Sequence, residues 1–511
     1  MKKLFCILIC LIFVNLINSQ QLAFPTAEGF GKFTTGGRGY SAYKVTNLNN
    51  NGVGSFRDAV SSPNRIVVFE VAGYIDLEST VIISDNITIA GQTAFVNGGQ
   101  GITIRKSSIN PFSGPLLGGG NNNIIRYLRL RPGQRQDNDC CGDAIVFFQK
   151  SNIILDHISA SFSSDEMIDF TESQIITIQN SFFTEPLSEN NPITNGKIFQ
   201  TGPTRNITFY RNIIANSGQR NPSLSPLNGV PSYVEFVNNF SFNVGAFGLI
   251  VDATGTENTY LNIINNVWQS SVENYWSRRW IMLTARTGNQ YYISNNNIDN
   301  RYKPTLSGDA WDLLTSEADD YSSNFSLPLS TQYQSLTPLS TPIVDDNVPL
   351  ISAENVWGYV KDNAGVNLFR DDVDLRTISQ IENNSAPSNT PSPLDETDFG
   401  ITYSTLNNLS SILTDSNNDG IPDLWESINM PPGATAIDYA LSGYTWLEEY
   451  INTLDSEDPT LSVPNNTIQN NFKIYLIYNI LGQELKELNK GINIVIYTNG
   501  SSFISKKIVK F

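Results

Sequence analysis

An all-β chain wound as a right-handed parallel β-helix is what the sequence predicts, and three observations lead there. Past its first twenty residues the chain is a series of short β-branched runs broken by Asn, Gly and Ser, with few helical patterns. Several runs superimpose when written with a common last residue: IILDH ending at His157, ITIQN at Asn180, TFYRN at Asn212, EFVNN at Asn239, INN at Asn266 and ISNN at Asn296. These ends fall 23, 32, 27, 27 and 30 residues apart, inside the period expected of coils stacked into a solenoid. Each coil then buries a layer of side chains against its neighbours. A polar residue at the same turn of successive coils forms a ladder whose amides satisfy buried backbone groups. An antiparallel sandwich prefers tighter turns at shorter spacing and gives no reason for aligned Asn residues.

The elements follow in chain order. Residues 1–19 read as a secretion signal: Lys2 and Lys3 precede an apolar run from Leu4 to Ile17, then Asn18 and Ser19. The run is too short to span a bilayer, so a soluble, extracellular protein without a membrane span is expected. Cys6 and Cys10 leave with the signal, and the adjacent Cys140 and Cys141 remain. Neighbouring cysteines staple no distant segments and fit no zinc spacing; a vicinal disulfide or two structural thiols are the readings. Loss of Lys2 and Lys3 takes the net charge from −17 to −19. That excess excludes a basic nucleic-acid footprint. It also repels a polyanionic sugar, unless cations are placed locally or a metal bridges the charges.

Residues 20–400 are assigned to the β-helix and its strap. VVFEVAG (Val67 to Gly73), NITIAG (Asn86 to Gly91) and IIRYLRLRP (Ile124 to Pro132) extend the coils toward the N-terminus. His157, the one histidine of the chain, reads as a ladder residue rather than a catalyst. Beyond Asn300 the rhythm breaks. Leu327 to Pro342 is a strap, Ser352 to Gly365 a helix with Ser352 as N-cap, and Ser385 to Thr397 a loop. Residues 401–455 hold a compact cation loop. Residues 456–511 are a polar linker and a small β-rich domain with short strands from Phe472 to Phe511.

Two charged constellations carry chemistry. The loop Asp415-Ser-Asn417-Asn-Asp419-Gly420-Ile421-Pro-Asp423-Leu-Trp-Glu426 matches the calcium template D-x-[DN]-x-[DN]-G-x5-E at every specified position. Asp415, Asn417, Asp419, Asp423 and Glu426 offer side-chain oxygens, Ile421 its carbonyl, and Gly420 the sharp turn. Pro422 favours a single calcium-stapled turn over a full helix-loop-helix, and the site reads as structural. The second constellation is Asp139, Asp143, Asp156, Asp165, Glu166 and Asp169. Adjacent coils lie roughly 5 Å apart, so carboxylates on them repel unless a cation sits between; calcium, with its oxygen ligands, suits them. Alone, a solvated acidic turn is an equal reading. Lys197, Arg205, Arg211 and Arg220 follow downstream, and arginine forks match carboxylates.

Six stretches then carry a family resemblance: AFPTAEGFGKFTTGGRG (Ala23 to Gly39), YKVTNLNNNGVGSFRDAV (Tyr43 to Val60), ITIAGQTA (Ile87 to Ala94), IIRYLRLRPG (Ile124 to Gly133), DHISASFSSDE (Asp156 to Glu166) and QRNP (Gln219 to Pro222). They resemble secreted pectate lyases of the bacterial type in polysaccharide lyase family 1, with their pectin-lyase-like β-helix. SAENVWGYVKDNAG, RDDVDLRTI (Arg370 to Ile378) and GYTWLEEYIN (Gly443 to Asn452) are similar to closing segments of the same group. The tail YNILGQELKELNKGINIVIYTNG…KKIVKF resembles the C-terminal sorting domain of type IX secretion, which implies that machinery as a partner.

The resemblance implies calcium-dependent β-elimination on α-1,4-linked polygalacturonate by a monomer. It implies Asp143, Asp165 and Asp169 as calcium carboxylates, Lys197 as a substrate-binding and charge-stabilising lysine, and Arg220 of the R-x-P motif as the base. Arg205 and Arg211 are expected to bind substrate. Three departures stand out. Ser225 occupies the place of a frequent second arginine, Tyr210-Arg211-Asn212 replaces a histidine-bearing strand, and Cys141 replaces an acid, with Asp139 as its stand-in. Two competing readings are a uronan-binding β-helix without catalysis and a glycoside hydrolase on this fold. The hydrolase needs paired carboxylic acids flanking the scissile bond, and the carboxylates here suit a metal better.

Overall fold

The computed structural model describes residues 20–133, 142–187, 196–226, 229–244, 247–251, 257–271, 279–283, 287–298, 314–316, 331–385, 413–455, 473–479, 484–485, 491–498 and 503–510. The signal, Asp139, the Cys140–Cys141 pair and the 456–472 linker lie outside them. Residues up to Tyr450 form one compact unit and Ile451–Phe511 a second.

In the first unit each coil contributes strands to three parallel stacks. Ile145–Val146, Ile168–Asp169, the start of Phe199–Tyr210, and Ser223–Pro226 belong to the first sheet. Ser151–Asp156, Gln174–Gln179, the rest of Phe199–Tyr210, and Ser232–Val237 belong to the second. Ser159–Ala160, Phe182–Thr184, Ile213–Ala215 and Phe240–Phe242 belong to the third. Every pairing in these stacks is parallel, which removes the sandwich. Period-2 alternation does the sorting: Ile145, Ile168 and Phe199 point inward and are buried, while Val146, Asp169 and Gln200 keep partial exposure. Inside, aromatic rings pack on one another, Phe183 edge-on to Phe199 at 4.7 Å, Phe199 edge-on to Phe209 at 5.1 Å and Phe236 stacked on Trp268 of the next coil at 5.7 Å.

The turn between the second and third sheets holds the Asn ladder, with a correction of one residue. Asn212 N donates to Asn239 Oδ1 at 3.0 Å, Asn239 N to Asn266 Oδ1 at 2.8 Å, and Asn266 N to Asn296 Oδ1 at 2.8 Å. The rung before Asn212 is Ser181, whose N donates to Asn212 Oδ1 at 2.9 Å. His157 and Asn180 belong one position earlier. They share a column of left-handed residues with Tyr127, Arg211, Asn238, Asn265 and Asn295, all at φ between 45° and 58°. The Asn-Asn doublets therefore have two jobs. The first Asn tolerates the left-handed turn and the second builds the ladder. His157 remains structural: its Nδ1 lies 2.8 Å from Asp156 Oδ2 and its ring stacks on Tyr127 at 4.4 Å.

Two straps cover two of the sheets. The N-terminal segment crosses the second, Gly31 N donating to Thr177 Oγ1 and Gly37 N to Thr88 Oγ1, both at 2.9 Å. Any side chain at Gly31 would put its Cβ 2.4 Å from the Ile153 carbonyl oxygen, so only Gly allows this approach. Helices Ala353–Asn363 and Asp372–Glu382 pack on the third sheet, Val356, Val360 and Ile381 against Phe182, Ile213 and Phe240. Ser352 is the N-cap residue and Gly365 follows the helix at φ 76°. Buried Arg131 pins this strap through Asp371 at 3.0 Å and Asp374 at 2.8 Å. The outward face of the first sheet, where Val146, Asp169 and Gln200 keep partial exposure, is the candidate groove.

The second unit contains an antiparallel sheet of Glu484–Leu485, Lys473–Asn479, Gly491–Thr498 and Phe503–Lys510 in that spatial order. Among the described residues, no helix is long and apolar enough to cross a membrane.

Candidate functional site

Three acids and two cations converge where the third sheet hands over to the first. Asp143 stands two residues before Ile145, Glu166 two before Ile168, and Lys197 two before Phe199; these three strand residues pair in register. The parallel ladder therefore sets the three charged residues in one column along the helix axis, rising roughly 5 Å per coil. On the following coil the count changes. Lys197 bridges Gln219 while Gln200 pairs with Ser223, so the later coil carries one extra residue. Arg220 sits in that bulge with φ 58°, and its carbonyl accepts from Phe199 N at 2.9 Å. A left-handed backbone is uncommon for arginine. Bulges of this kind re-aim a side chain beside functional sites.

Asp143, Asp165 and Glu166 each place a carboxylate oxygen within 4.8 Å of the others, Asp143 and Glu166 being buried and Asp165 partly so. Lys197 Nζ pairs with Asp165 and lies 3.8 Å from Glu166 Oε1. Arg220 Nη1 pairs with Glu166. The groove floor beside them is Val146, Asp169, Gln200 and Ser223, successive partners across the first sheet. Asp169 Oδ1 accepts from Thr171 N at 2.7 Å and Thr171 Oγ1 at 2.6 Å. Burial pushes its carboxyl above the usual range, and the Asp165 charge adds to this. Three oxygen donors so close together fit a hard divalent cation.

The carboxylate that closes the cluster with Asp143 and Asp165 is Glu166, and Asp169, expected there from sequence, stands on the strand beside it. The missed signal was positional, since Glu166 precedes Ile168 by the same interval as Asp143 precedes Ile145. Arg211 is corrected as well. It sits in the left-handed turn on the far side of its coil, donating to Tyr359 Oη at 2.9 Å and to the Pro349 carbonyl at 3.4 Å, so its guanidinium fastens the strap. Arg205 lies just past the groove sheet, where its Nε donates to Gln174 Oε1. Asp156 is buried against Arg126 at 2.7 Å. Burial works against its ionised form, but His157 and Arg126 hold its carboxyl well below the ordinary value.

The loop Asp415–Glu426 folds on itself. Asp415 accepts from Asp419 N at 3.2 Å and Gly420 N at 2.9 Å, Asp419 Oδ1 from Ile421 N at 3.0 Å, and Glu426 Oε1 from Asn417 Nδ2 at 3.2 Å. Asp423 instead turns toward Ser416, accepting from its N at 2.7 Å and its Oγ at 2.6 Å. Gly420 has φ 94°, and a Cβ there would come 2.7 Å from that of Ala42. Ile421 and Trp425 are buried, and helix Asp423–Asn429 follows with Pro422 as its N-cap. Lys44 ties the loop to the first coils, 2.5 Å from Asp415 Oδ2 and 2.9 Å from Glu70 Oε1.

No family model matches the chain. Among curated proteins it is similar to probable pectate lyase C of Aspergillus terreus, 33% identical over 452 residues, covering 85% of this chain and 94% of that protein. The probable pectate lyase C of Emericella nidulans is 33% identical over 447 residues, covering 85% and 93%. Probable pectate lyase 6 of Arabidopsis thaliana is 33% identical over 180 residues, a third of this chain. Among solved structures, the cedar pollen allergen jun a 1 aligns with a TM-score of 0.45 at 18% identity over 69% of this chain and 96% of its own. A Bacillus subtilis pectate lyase aligns with a TM-score of 0.44 at 14% identity over 70% and 100%.

Proposed function

The chain belongs to the pectate lyase family, and on that footing we propose that its groove cleaves α-1,4-linked polygalacturonate by calcium-dependent β-elimination. The convergence of Asp143, Asp165 and Glu166 with Lys197 and Arg220 carries this reading. Those carboxylates, with Asp169 on the floor beside them, would hold the calcium ion. When bound, calcium supplies charge withdrawal from the sugar carboxylate, which acidifies the proton on the adjacent C5.

The residues of the chain do the rest. Lys197 faces the charge that grows on the carboxylate as the C5 proton leaves, and neutralising growing charge is where a positioned cation lowers the barrier most. Arg220 takes the C5 proton, the electron pair forms the C4–C5 double bond, and the C4–O bond breaks to release the leaving sugar. A free guanidinium is protonated at ordinary pH and has no lone pair to take the proton. To act as the base, Arg220 must therefore first part from its carboxylate partner Glu166. Arg205, at the border of the groove, extends the cationic surface for the polymer.

Extracellular placement belongs to the same proposal, with residues 1–19 as leader and 456–511 as the type IX sorting signal; the curated relatives named above are fungal and plant, so support for that tail is its own sequence. The protein acts as a monomer.

The test is incubation of the protein with polygalacturonate, with and without a calcium chelator, following absorbance of the unsaturated product. Calcium-dependent growth of the signal supports the lyase. Binding without product would leave only a uronan-binding protein, and new reducing ends without unsaturation would mean hydrolysis.

A further inference from the structure

Both cations of the cluster are already paired with its carboxylates. Arg220 holds Glu166, and Lys197 holds Asp165 with Glu166 close by. Three carboxylates against two cations leave the cluster one negative charge, in a chain of net charge −17. An acidic polymer approaching it meets repulsion, and both cations it needs are occupied. A divalent ion would offset this charge, taking the three-acid cluster to one positive charge and the groove with Asp169 to neutrality.

We propose that Glu166 is a calcium-gated latch on Arg220: without the ion it keeps the guanidinium paired, and only when its carboxylate is claimed by the ion is Arg220 released to the substrate. Asp165 stands in the same relation to Lys197. The inference rests on the lyase reading of this groove and adds to it an order of events. Glu166 is a positioning residue here, acting on substrate through Arg220. Ion and polymer then bind cooperatively for two reasons, because the ion bridges carboxylates and because it frees the cations. An exchange of partners suits the geometry. Glu166 is buried while the Arg220 side chain is about a third exposed, so the arginine can swing outward while the carboxylate stays in the cluster.

The experiment is binding of trigalacturonate to the full chain by calorimetry at low salt, in chelator and in calcium. Wild type is expected to bind in calcium and only weakly in chelator. Glu166→Gln, which keeps shape but gives up the charge, is expected to bind in chelator on the order of 10-fold tighter than wild type, a modest gain for a freed charge pair. Removal of any acid reduces repulsion, so Asp169→Asn is the control; it takes one negative charge from the same groove without releasing a cation. The gain should exceed that of the control and vanish in Glu166→Gln/Arg220→Gln. A gain no greater than the control's, or one that survives loss of Arg220, overturns the latch. If Glu166→Gln melts far below wild type, Glu166→Asp serves, and its shorter reach should give a smaller gain of the same sign. Failure of wild type to bind trigalacturonate even in calcium would overturn the lyase reading itself, whereas binding in calcium without the Glu166→Gln gain removes only the latch.

Discussion

The groove cluster and the loop Asp415–Glu426 offer the same oxygen donors, yet they are built in opposite ways. The loop is one continuous stretch whose own backbone turns position its carboxylates. The cluster draws on four successive coils; its acids meet because Ile145 pairs with Ile168, and Lys197 joins them because Ile168 pairs with Phe199. Each has a cation seated on a donor carboxylate, but the cations lead elsewhere. Lys44 joins Asp415 to Glu70, a neighbouring part of the scaffold. Lys197 and Arg220 face the groove. On the proposed reading, an ion in the loop would act on stability and an ion in the cluster on substrate.

The strongest way to break that division is Arg220→Ala. Product formation should fall by on the order of 10³-fold, the scale of a lost general base, with the melting temperature unchanged because the side chain is partly exposed. Unaltered turnover would end the assignment. Next come Asp165→Asn and Asp415→Asn as a matched pair. The first should raise the calcium concentration needed for half-maximal turnover by about 10-fold or more, an outcome read from initial rates. The second should leave turnover of the folded enzyme intact and remove the gain in unfolding free energy that calcium gives, about 2.7 kcal/mol for a site held at a hundred times its Kd. If Asp415→Asn impaired the half-saturation for turnover instead, the two sites would not be separate in function.

The same contrast explains what the sequence made legible. The loop was readable because all its donors lie on one stretch with a fixed spacing, and Gly420 marks its turn. Coil repeats were readable from the Asn-ended runs, because a polar residue that stacks on itself must recur. Which Asn does the stacking was not. Both members of a doublet such as Asn238-Asn239 are asparagine for different reasons, and Asn180 and His157 occupy the left-handed place alone. Glu166 was named among the acids, but its place in the cluster was hidden for a related reason. Its role depends on register across coils, and a one-residue slip exchanges it for its neighbours. Arg220 was found through its short motif, but nothing in that motif shows the extra residue that aims it.

Stacking also buries charge beneath the strap. Glu185, buried beneath the strap against Arg376, has its carboxyl pushed up to about 7 by burial, with Asp374 adding to the shift and Arg376 and Arg131 opposing it. The folded protein therefore keeps a proton that the unfolded chain, with an ordinary glutamate pKa of about 4.3, has lost. Stability from this group is full below that value and declines as pH rises through about 7, by at most about 1.4 kcal/mol per pH unit. Urea midpoints at pH 5 and pH 8 should differ less in Glu185→Gln than in wild type. An unchanged difference would mean that Arg376 keeps Glu185 ionised throughout.

Arg211→Ala is the smallest effect and the sharpest test of the boundary between groove and strap. The guanidinium lies 4.5 Å from the ring centres of both Tyr210 and Tyr359 and donates to the Tyr359 hydroxyl and the Pro349 carbonyl. Two partly exposed cation–π contacts and two hydrogen bonds, less the entropy of holding a long side chain, come to about 1 kcal/mol. That loss should appear in the urea midpoint, while KM for polygalacturonate stays at the wild-type value, since the residue stands on the turn opposite the groove. Arg205→Ala is the complement, because Arg205 borders the groove sheet and its guanidinium donates to Gln174 of the second sheet; it should raise KM and leave the midpoint alone. Should Arg211→Ala raise KM without lowering stability, the substrate would reach around the coil to the strap, and the groove would be wider than the first sheet.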